Sequence, residues 1–202
     1  MALNVPTRTV LNIGCGTSGD QRLPPVLKEA DWTQLRIDID PKVQPDIVAS
    51  FADLHMFHND SVDAIWSSHN LEHLAWHEVS KALAEAKRVL RPDGFMIVTL
   101  PDLQRLAQLV VDGQLMDVQY ESSMGPITTL DMLFGHLDSQ ATGSPYMAHR
   151  CGFTAESLGT TLMDAGFSEI KVIKGHHYDL WALASTQPTP ARVLAEFQAC
   201  AA

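Results

Sequence analysis

Two rhythms of apolar and polar positions alternate along the chain. Thr9 to Ile13 (TVLNI) is a β-rich run that stops at Gly14, and Leu35 to Ile39 (LRIDI) alternates apolar with polar residues until Pro41 ends it. Asp46 to Ala49 and Val62 to Ser67 (VDAIWS) read as two further short strands. From His77 to Arg91 the period changes: Val79, Ala82, Leu83, Ala86, Val89 and Leu90 fall at helical spacing. Pro92-Asp93-Gly94 supplies turn residues, and Phe95 to Leu100 (FMIVTL) has the unbroken apolar character of a buried central strand. Pro101 is placed to open the next helix, where its missing N–H has no partner to lose.

Between about residues 113 and 147 the rhythm breaks, with Gly125-Pro126, Gly135, Gly143 and Pro145 and a short helix around Thr129 to Phe134. A long irregular stretch inside a compact domain is more often functional than not, and a lid is expected at 113–150. Thr154 then suits the N-cap of a helix reaching Ala165, with Gly166 as its stop. Ile170 to Ile173 and Asp179 to Ser185 read as a hairpin across Gly175-His176-His177-Tyr178. In the tail, Val193, Leu194 and Phe197 predict a short helix that docks on its own domain or on a second subunit of a homo-oligomer. Strands alternating with helices predict an α/β fold, a doubly wound, mostly parallel seven-stranded sheet of Rossmann-like type ending in an antiparallel hairpin.

Composition narrows this picture. The 202 residues, 46% hydrophobic, suffice for one domain with a real core, and no repeat or Pro/Gly/Ser-rich linker divides 1–202. Cys15, Cys151 and Cys200 are odd in number and lack C-x-x-C spacing, which argues against a disulfide framework and suits a reducing compartment. No leader pattern and no run of roughly 18 apolar residues occurs, so the expectation is a cytoplasmic protein that does not engage a membrane. A net charge of −10 would repel a phosphate backbone, and Lys81, Lys87, Arg88 and Arg91 lie along a solvated helix face. A small-molecule partner is therefore expected rather than nucleic acid.

The candidate chemistry begins at Leu11-Asn12-Ile13-Gly14-Cys15-Gly16. Two glycines at the carboxyl end of a first strand let a ligand approach backbone with no Cβ in the way. Asp38, at the end of the second strand, can accept hydrogen bonds from both hydroxyls of a ribose. Asp53, after the third, is positioned for the exocyclic amine of an adenine, with Leu54 packing on the ring. In that order these features describe a nucleoside pocket.

With these residues the sequence resembles the class I S-adenosylmethionine-dependent methyltransferases, especially the small methyltransferase-11 type. The matching pieces are LNIGCG, IDIDP, SFADL, VDAIWSSHNLEHL and RVLRPDGFMIVTLPD, covering roughly residues 9–103, with GFT (152–154) and AGF (165–167) continuing the match. The resemblance implies S-adenosylmethionine as cofactor, with Gly14, Cys15 and Gly16 beside its methionine part, Asp38 and Ile39 at the ribose, and Asp53 and Leu54 at the adenine. Ser68, His69 and Asn70 would face the sulfonium and the incoming substrate. The family usually carries an acid where this chain has Asn12, so the contact there is expected to be weaker or indirect.

Two other readings compete. Gly14, Gly16 and Gly19 satisfy the G-x-G-x-x-G of dinucleotide-binding domains, but that motif needs a helix to begin inside it. Pro24 disfavours helical geometry at Leu23, so a helix near Pro25 starts too late for a pyrophosphate at Gly14 to Gly19. His69-Asn70-Leu71-Glu72-His73 spells H-x-x-E-H, the arrangement of inverted zinc peptidases. On a helix His69 and His73 would share one face, but zinc needs a third ligand and no downstream helix offers a carboxylate, so no metal is expected.

Methyl transfer from a sulfonium asks the protein to hold an acceptor in line and exclude water. A hydroxyl or ammonium acceptor would also need a base within ~3 Å of its proton. His69, His136, His149 and the pair His176-His177 are the available histidines, and His149 or His136, flanking the irregular stretch, is expected to approach the acceptor. Trp66 and Trp181, in strand runs, read as core. The expected function is methyl transfer to a small molecule; a cofactor-binding protein of the same fold without catalysis is the alternative.

Overall fold

The apolar runs meet edge to edge in one seven-stranded sheet. The computed structural model describes residues 8–17 and 23–201; Gly19, the third glycine of the dinucleotide pattern, lies outside them. The sheet strands are β1 (Arg8–Ile13), β2 (Trp32–Asp38), β3 (Ile47–Val48), β4 (Val62–Ser68), β5 (Leu90–Pro101), β8 (Glu169–Lys174) and β9 (Asp179–Ser185), in spatial order β3-β2-β1-β4-β5-β9-β8. Neighbours from β3 to β5 are parallel, whereas β9 runs antiparallel to both β5 and β8. This is the doubly wound sheet with a terminal antiparallel hairpin that the sequence pattern predicts. From β1 the winding goes out through β2 to β3 on one side and restarts at β4 on the other. A crevice therefore opens at the carboxyl ends of β1 and β4, where such sheets bind ligands.

Each face of the sheet buries its own cluster. On one face α1 (Trp76–Val89) and α5 (Ala155–Asp164) present Val79, Leu83, Ala86, Leu158 and Leu162 to Leu11, Ile65, Met96 and Val98. The apolar positions of α1 recur at three and four residues, so one stripe faces the sheet. On the other face α6 (Ala191–Ala201) lays Val193 and Phe197 against Trp66, Ile97 and Leu183. The tail helix thus docks on its own domain. Trp66 is buried, with its ring 5.7 Å from that of Trp181.

Between β5 and α5 the chain leaves the main sheet. It forms α2 (Leu103–Val111), a separate two-stranded sheet of β6 (Val118–Ser122) and β7 (Gly125–Thr128), and then α3 (Thr129–Phe134) and α4 (Leu137–Ala141). Leu106, Ile127 and Met132 form a small core that joins this layer to the domain. Three expectations need correction. Pro92-Asp93-Gly94, expected as a turn, lies inside β5, which begins at Leu90 directly after α1 and pairs there with Val62. Pro101 ends β5, and the next helix is started by Asp102, whose Oδ1 accepts from the amides of Gln104 (3.1 Å) and Arg105 (3.4 Å). A buried carboxylate at the N-cap satisfies donors that a proline at N1 cannot. The irregular stretch also hides the β6–β7 hairpin, where Gly125 takes φ 106°. Among the described residues no helix is long and apolar enough to cross a membrane.

Candidate cofactor and acceptor site

β1 ends in a turn that only flexible backbone can make. Gly14 and Gly16 have φ of 71° and 55°, in the left-handed region. The amides of Gly14 and Cys15 both donate to Ile37 O, at 2.8 and 3.2 Å. The next amide, of Gly16, donates to Asp38 Oδ2 at 2.9 Å, while Asp38 Oδ1 accepts from the Asp40 amide at 2.9 Å. Asp38 thereby fixes the loop and keeps lone pairs for a ligand's hydroxyls. Among the described residues a Cβ built on Gly16 meets no atom within 4 Å, whereas one on Gly14 would lie 2.4 Å from Asn70 Nδ2.

That near-contact joins the ends of β1 and β4 across the crevice. Among the described residues Asn70 Oδ1 is buried without a hydrogen-bond partner, an acceptor suited to a donor on a ligand lying along the loop. Open backbone, a loop-holding carboxylate and an orphaned amide oxygen suit the polar ends of S-adenosylmethionine. Asn12 is buried in mid-sheet, opposite Arg36 of β2 and Trp66 of β4. Cys15 is buried too, and burial first, then the Asp38 charge, pushes its thiol pKa up.

Ile39 follows β2 and is exposed. Asp53 is exposed as well and pairs with His55 Nδ1 at 2.8 Å, a hydrogen bond that lowers its pKa. Leu54, by contrast, is wholly buried in the main core. Its amide donates to Glu85 Oε2 at 2.8 Å and its carbonyl accepts from Arg88 at 3.0 Å. Arg88 also reaches Phe57 O (2.8 Å) and pairs with Glu85 (2.7 Å), so α1 clamps the 54–59 loop.

After β4 the chain bends sharply. Ser68 Oγ accepts from Thr99 Oγ1 (2.9 Å), and His69, at φ 47°, donates its amide to Thr99 O (2.8 Å). A single 3-10 turn, Leu71–His73, follows in place of the α-helix on which His69 and His73 would share a face. Glu72 therefore points inward, 1% exposed, with Oε1 3.3 Å from His69 Nδ1 and 4.0 Å from His149 Nε2. Burial opposes its charge, but His69 above all, then His73 and His149, outweighs burial and lowers the carboxyl pKa.

His149 arrives from far along the chain. The amides of Arg150 and Cys151 both donate to Glu72 O, at 2.8 and 3.2 Å, and the His149 amide donates to Phe134 O at 3.1 Å. Burial most of all pushes the His149 pKa down, so its ring is neutral at neutral pH. His136, the other expected acceptor-facing histidine, caps α4 and bonds Ser139 Oγ at 2.7 Å through Nδ1. The ground for expecting no metal, a missing third ligand, does not hold. Ligand atoms of Glu72, His73 and His149 lie within 4.8 Å of one another.

Beside this cluster is a cavity of about 290 Å³, lined by Glu72 and His149 and by apolar Leu103, Leu106, Met132 and Phe134. The four apolar lining residues were not legible as site residues, because they come from α2 and α3, whose approach to the 69–73 turn no local spacing encodes. H-x-x-E-H was the one signal for Glu72.

The sheet order, the glycine turn and the acid after β2 define a Rossmann-like fold of the class I methyltransferases. Residues 11–98 match the family model described as a methyltransferase domain. Solved structures carry the likeness over most of the chain. A SAM-dependent methyltransferase from Archaeoglobus fulgidus is 15% identical with a TM-score of 0.62, covering 89% of this chain and 86% of its own. A SAM-dependent methyltransferase from Thermotoga maritima, described as a possible histamine N-methyltransferase, is 18% identical with a TM-score of 0.54, covering 91% and 84%. The trans-methyltransferase CalH, solved with SAH, is 16% identical with a TM-score of 0.57, covering 89% of this chain and 51% of its own. No curated protein sequence matches.

Proposed function

We propose that this chain transfers a methyl group from S-adenosylmethionine to a small, largely apolar acceptor with one polar reacting atom. One observation carries the reading: Asn70 lies against Gly14 of the cofactor loop, and two residues on Glu72 lines the cavity. Donor and acceptor would therefore meet across the turn after β4. When bound, S-adenosylmethionine supplies an electrophilic methyl on a sulfonium. The protein's residues orient and desolvate. Gly14 to Gly16 would receive the methionine part, Asn70 Oδ1 would accept a donor from it, and Asp38 would take the ribose.

Leu103, Leu106, Met132 and Phe134 would exclude water from the acceptor side, which strengthens each polar contact there. His69 and His149 are the histidines available to hold the acceptor's proton. Closure of the 113–150 layer over the crevice belongs to the same proposal.

Calorimetric titration with S-adenosylmethionine, S-adenosylhomocysteine and NAD, followed by transfer of labelled methyl into small-molecule extracts, tests it. Binding of the first two with label appearing in an extract supports the reading. Binding with no transfer into any fraction leaves a cofactor-binding protein. Binding of NAD alone overturns it.

A further inference from the structure

Glu72, His73 and His149 converge without a hydrogen-bond donor among them. Each imidazole commits Nδ1 to a backbone carbonyl, His73 to Ala148 O at 3.1 Å and His149 to Met132 O at 3.0 Å. A carbonyl can only accept, so Nδ1 carries the proton and a neutral ring keeps a bare lone pair on Nε2. Among the described residues Glu72 Oε2 is buried with no hydrogen-bond partner, and Oε1 has the ion pair with His69 Nδ1 at 3.3 Å. His149 Nε2 stands 4.0 Å from Glu72 Oε1, beyond the reach of an N–H···O bond. The two rings lie 4.8 Å apart between centroids, edge to face. A buried carboxylate beside two imidazole lone pairs is costly, and His69 compensates only one of its oxygens, so a cation between the three groups would offset the rest.

We infer that Glu72, His73 and His149 bind a divalent transition-metal ion of the zinc type, as a two-histidine, one-carboxylate site on the wall of the acceptor cavity. Two nitrogens and one oxygen suit zinc rather than magnesium or calcium, which take oxygen ligands. Nδ1–H to carbonyl bonds are also how proteins orient metal-binding imidazoles. Ligand atoms around a tetrahedral zinc stand ~3.3 Å apart, so the ion would draw the three groups inward from their 4.8 Å spread. Cys151 Sγ lies 3.5 Å from Leu71 O, and its thiol is directed to that carbonyl.

Glu72 and His149 both line the cavity, so the fourth position faces it. There the ion would hold an oxygen, nitrogen or sulfur of the acceptor, a use that rests on the methyl-transfer reading, as the binding itself does not. His69 would then remain as the proton-holding histidine.

The test is a titration of chelator-stripped full-length protein with zinc alone, in competition with a chromogenic indicator, and with magnesium as control. Wild type should bind one zinc per chain. His149→Ala, His73→Ala and Glu72→Gln should each bind at least tenfold more weakly, and magnesium should not compete. Zinc should raise the Tm of wild type and leave that of His149→Ala unmoved, which decides the matter even where Glu72→Gln fails to fold. Equal zinc affinity in wild type and His149→Ala, or magnesium binding as tight as zinc, overturns the site. Zinc binding without methyl transfer keeps the site and removes the enzymatic reading. S-adenosylmethionine-dependent transfer unaffected by stripping and by zinc keeps the enzymatic reading and overturns the ion's use in holding the acceptor, while the zinc titration alone decides the site.

Discussion

Asp38 reaches back to the glycine turn of the preceding strand, its Oδ2 accepting the Gly16 amide at 2.9 Å. The carboxylate therefore shapes the loop before any ligand meets it. Asp38→Ala removes this charge-assisted bond together with the contacts proposed to a bound ribose. Such bonds contribute about 1.5–3 kcal/mol, so affinity for S-adenosylmethionine should fall about ten- to a hundredfold by calorimetry. Asp38→Asn should fall less, because its amide oxygen can still accept one of the two backbone donors. Equal affinity in wild type and Asp38→Ala would remove Asp38 from the binding site.

The two glycines of that turn should differ. At Gly16 an added Cβ meets nothing within 4 Å and costs only the left-handed backbone at φ 55°, about 1–2 kcal/mol. At Gly14 the same strain is joined by a clash with Asn70 Nδ2 at 2.4 Å. Gly14→Ala should lower the Tm more than Gly16→Ala and should weaken cofactor binding by displacing Asn70. Thermal melts of the two variants side by side check the order.

Acid should loosen the loop that carries Asp53. Glu85 accepts from Arg88 and from the Leu54 amide, and the Arg88 bond is the main cause holding its carboxyl below the usual range. A folded-state pKa below the unfolded one gives stability that is full above the unfolded value, near 4.3. That stability is lost as pH falls through the lower folded value. Tm should hold down to about pH 4.5 and then drop, with a smaller drop in Glu85→Gln, which has no carboxylate to protonate. At pH 7 Glu85→Gln should already be less stable by roughly 1–2 kcal/mol, allowing for the partial exposure of the pair.

The thiols should be sluggish. Burial raises the pKa of Cys15, Cys151 and Cys200 alike, and takes Cys151 to about 12. Against an ordinary thiol near 8.5, Cys151 has about a thousandfold less thiolate. A thiol-reactive disulfide at pH 8 should label the native protein slowly and all three cysteines promptly in denaturant. Rapid stoichiometric labelling of Cys151 in the native state would contradict its packing against Leu71 and Glu72.

The sheet was legible in the sequence because most of its strands are short apolar runs, with Gly14 closing the first and Pro41 following the second, and its helices repeat at three and four residues. The glycine turn and Asp38 were legible for the same local reason. Pro101 misled, since a proline at N1 and an aspartate at the N-cap leave similar traces and only the bonds to Gln104 and Arg105 separate them. The β6–β7 hairpin was hidden because Gly125-Pro126 reads as a break rather than a strand. The partnership of Glu72 with His149 spans 77 positions and no period encodes it. It exists because two amides of a distant loop close on one carbonyl.

That carbonyl, Glu72 O, has a consequence for how the protein diversifies. Residues 11–98 match the methyltransferase-domain pattern, and on the proposed reading this part holds the donor. Leu103, Leu106, Met132, Phe134 and His149, which enclose the other side, all come later. The two halves meet where Arg150 and Cys151 fasten onto Glu72. The layer between β5 and that fastening supplies the apolar wall of the cavity, and changes within it leave the glycine turn and Asp38 untouched. On the proposed methyl-transfer reading, choice of acceptor would then be set by this inserted layer, apart from the turn that holds the donor.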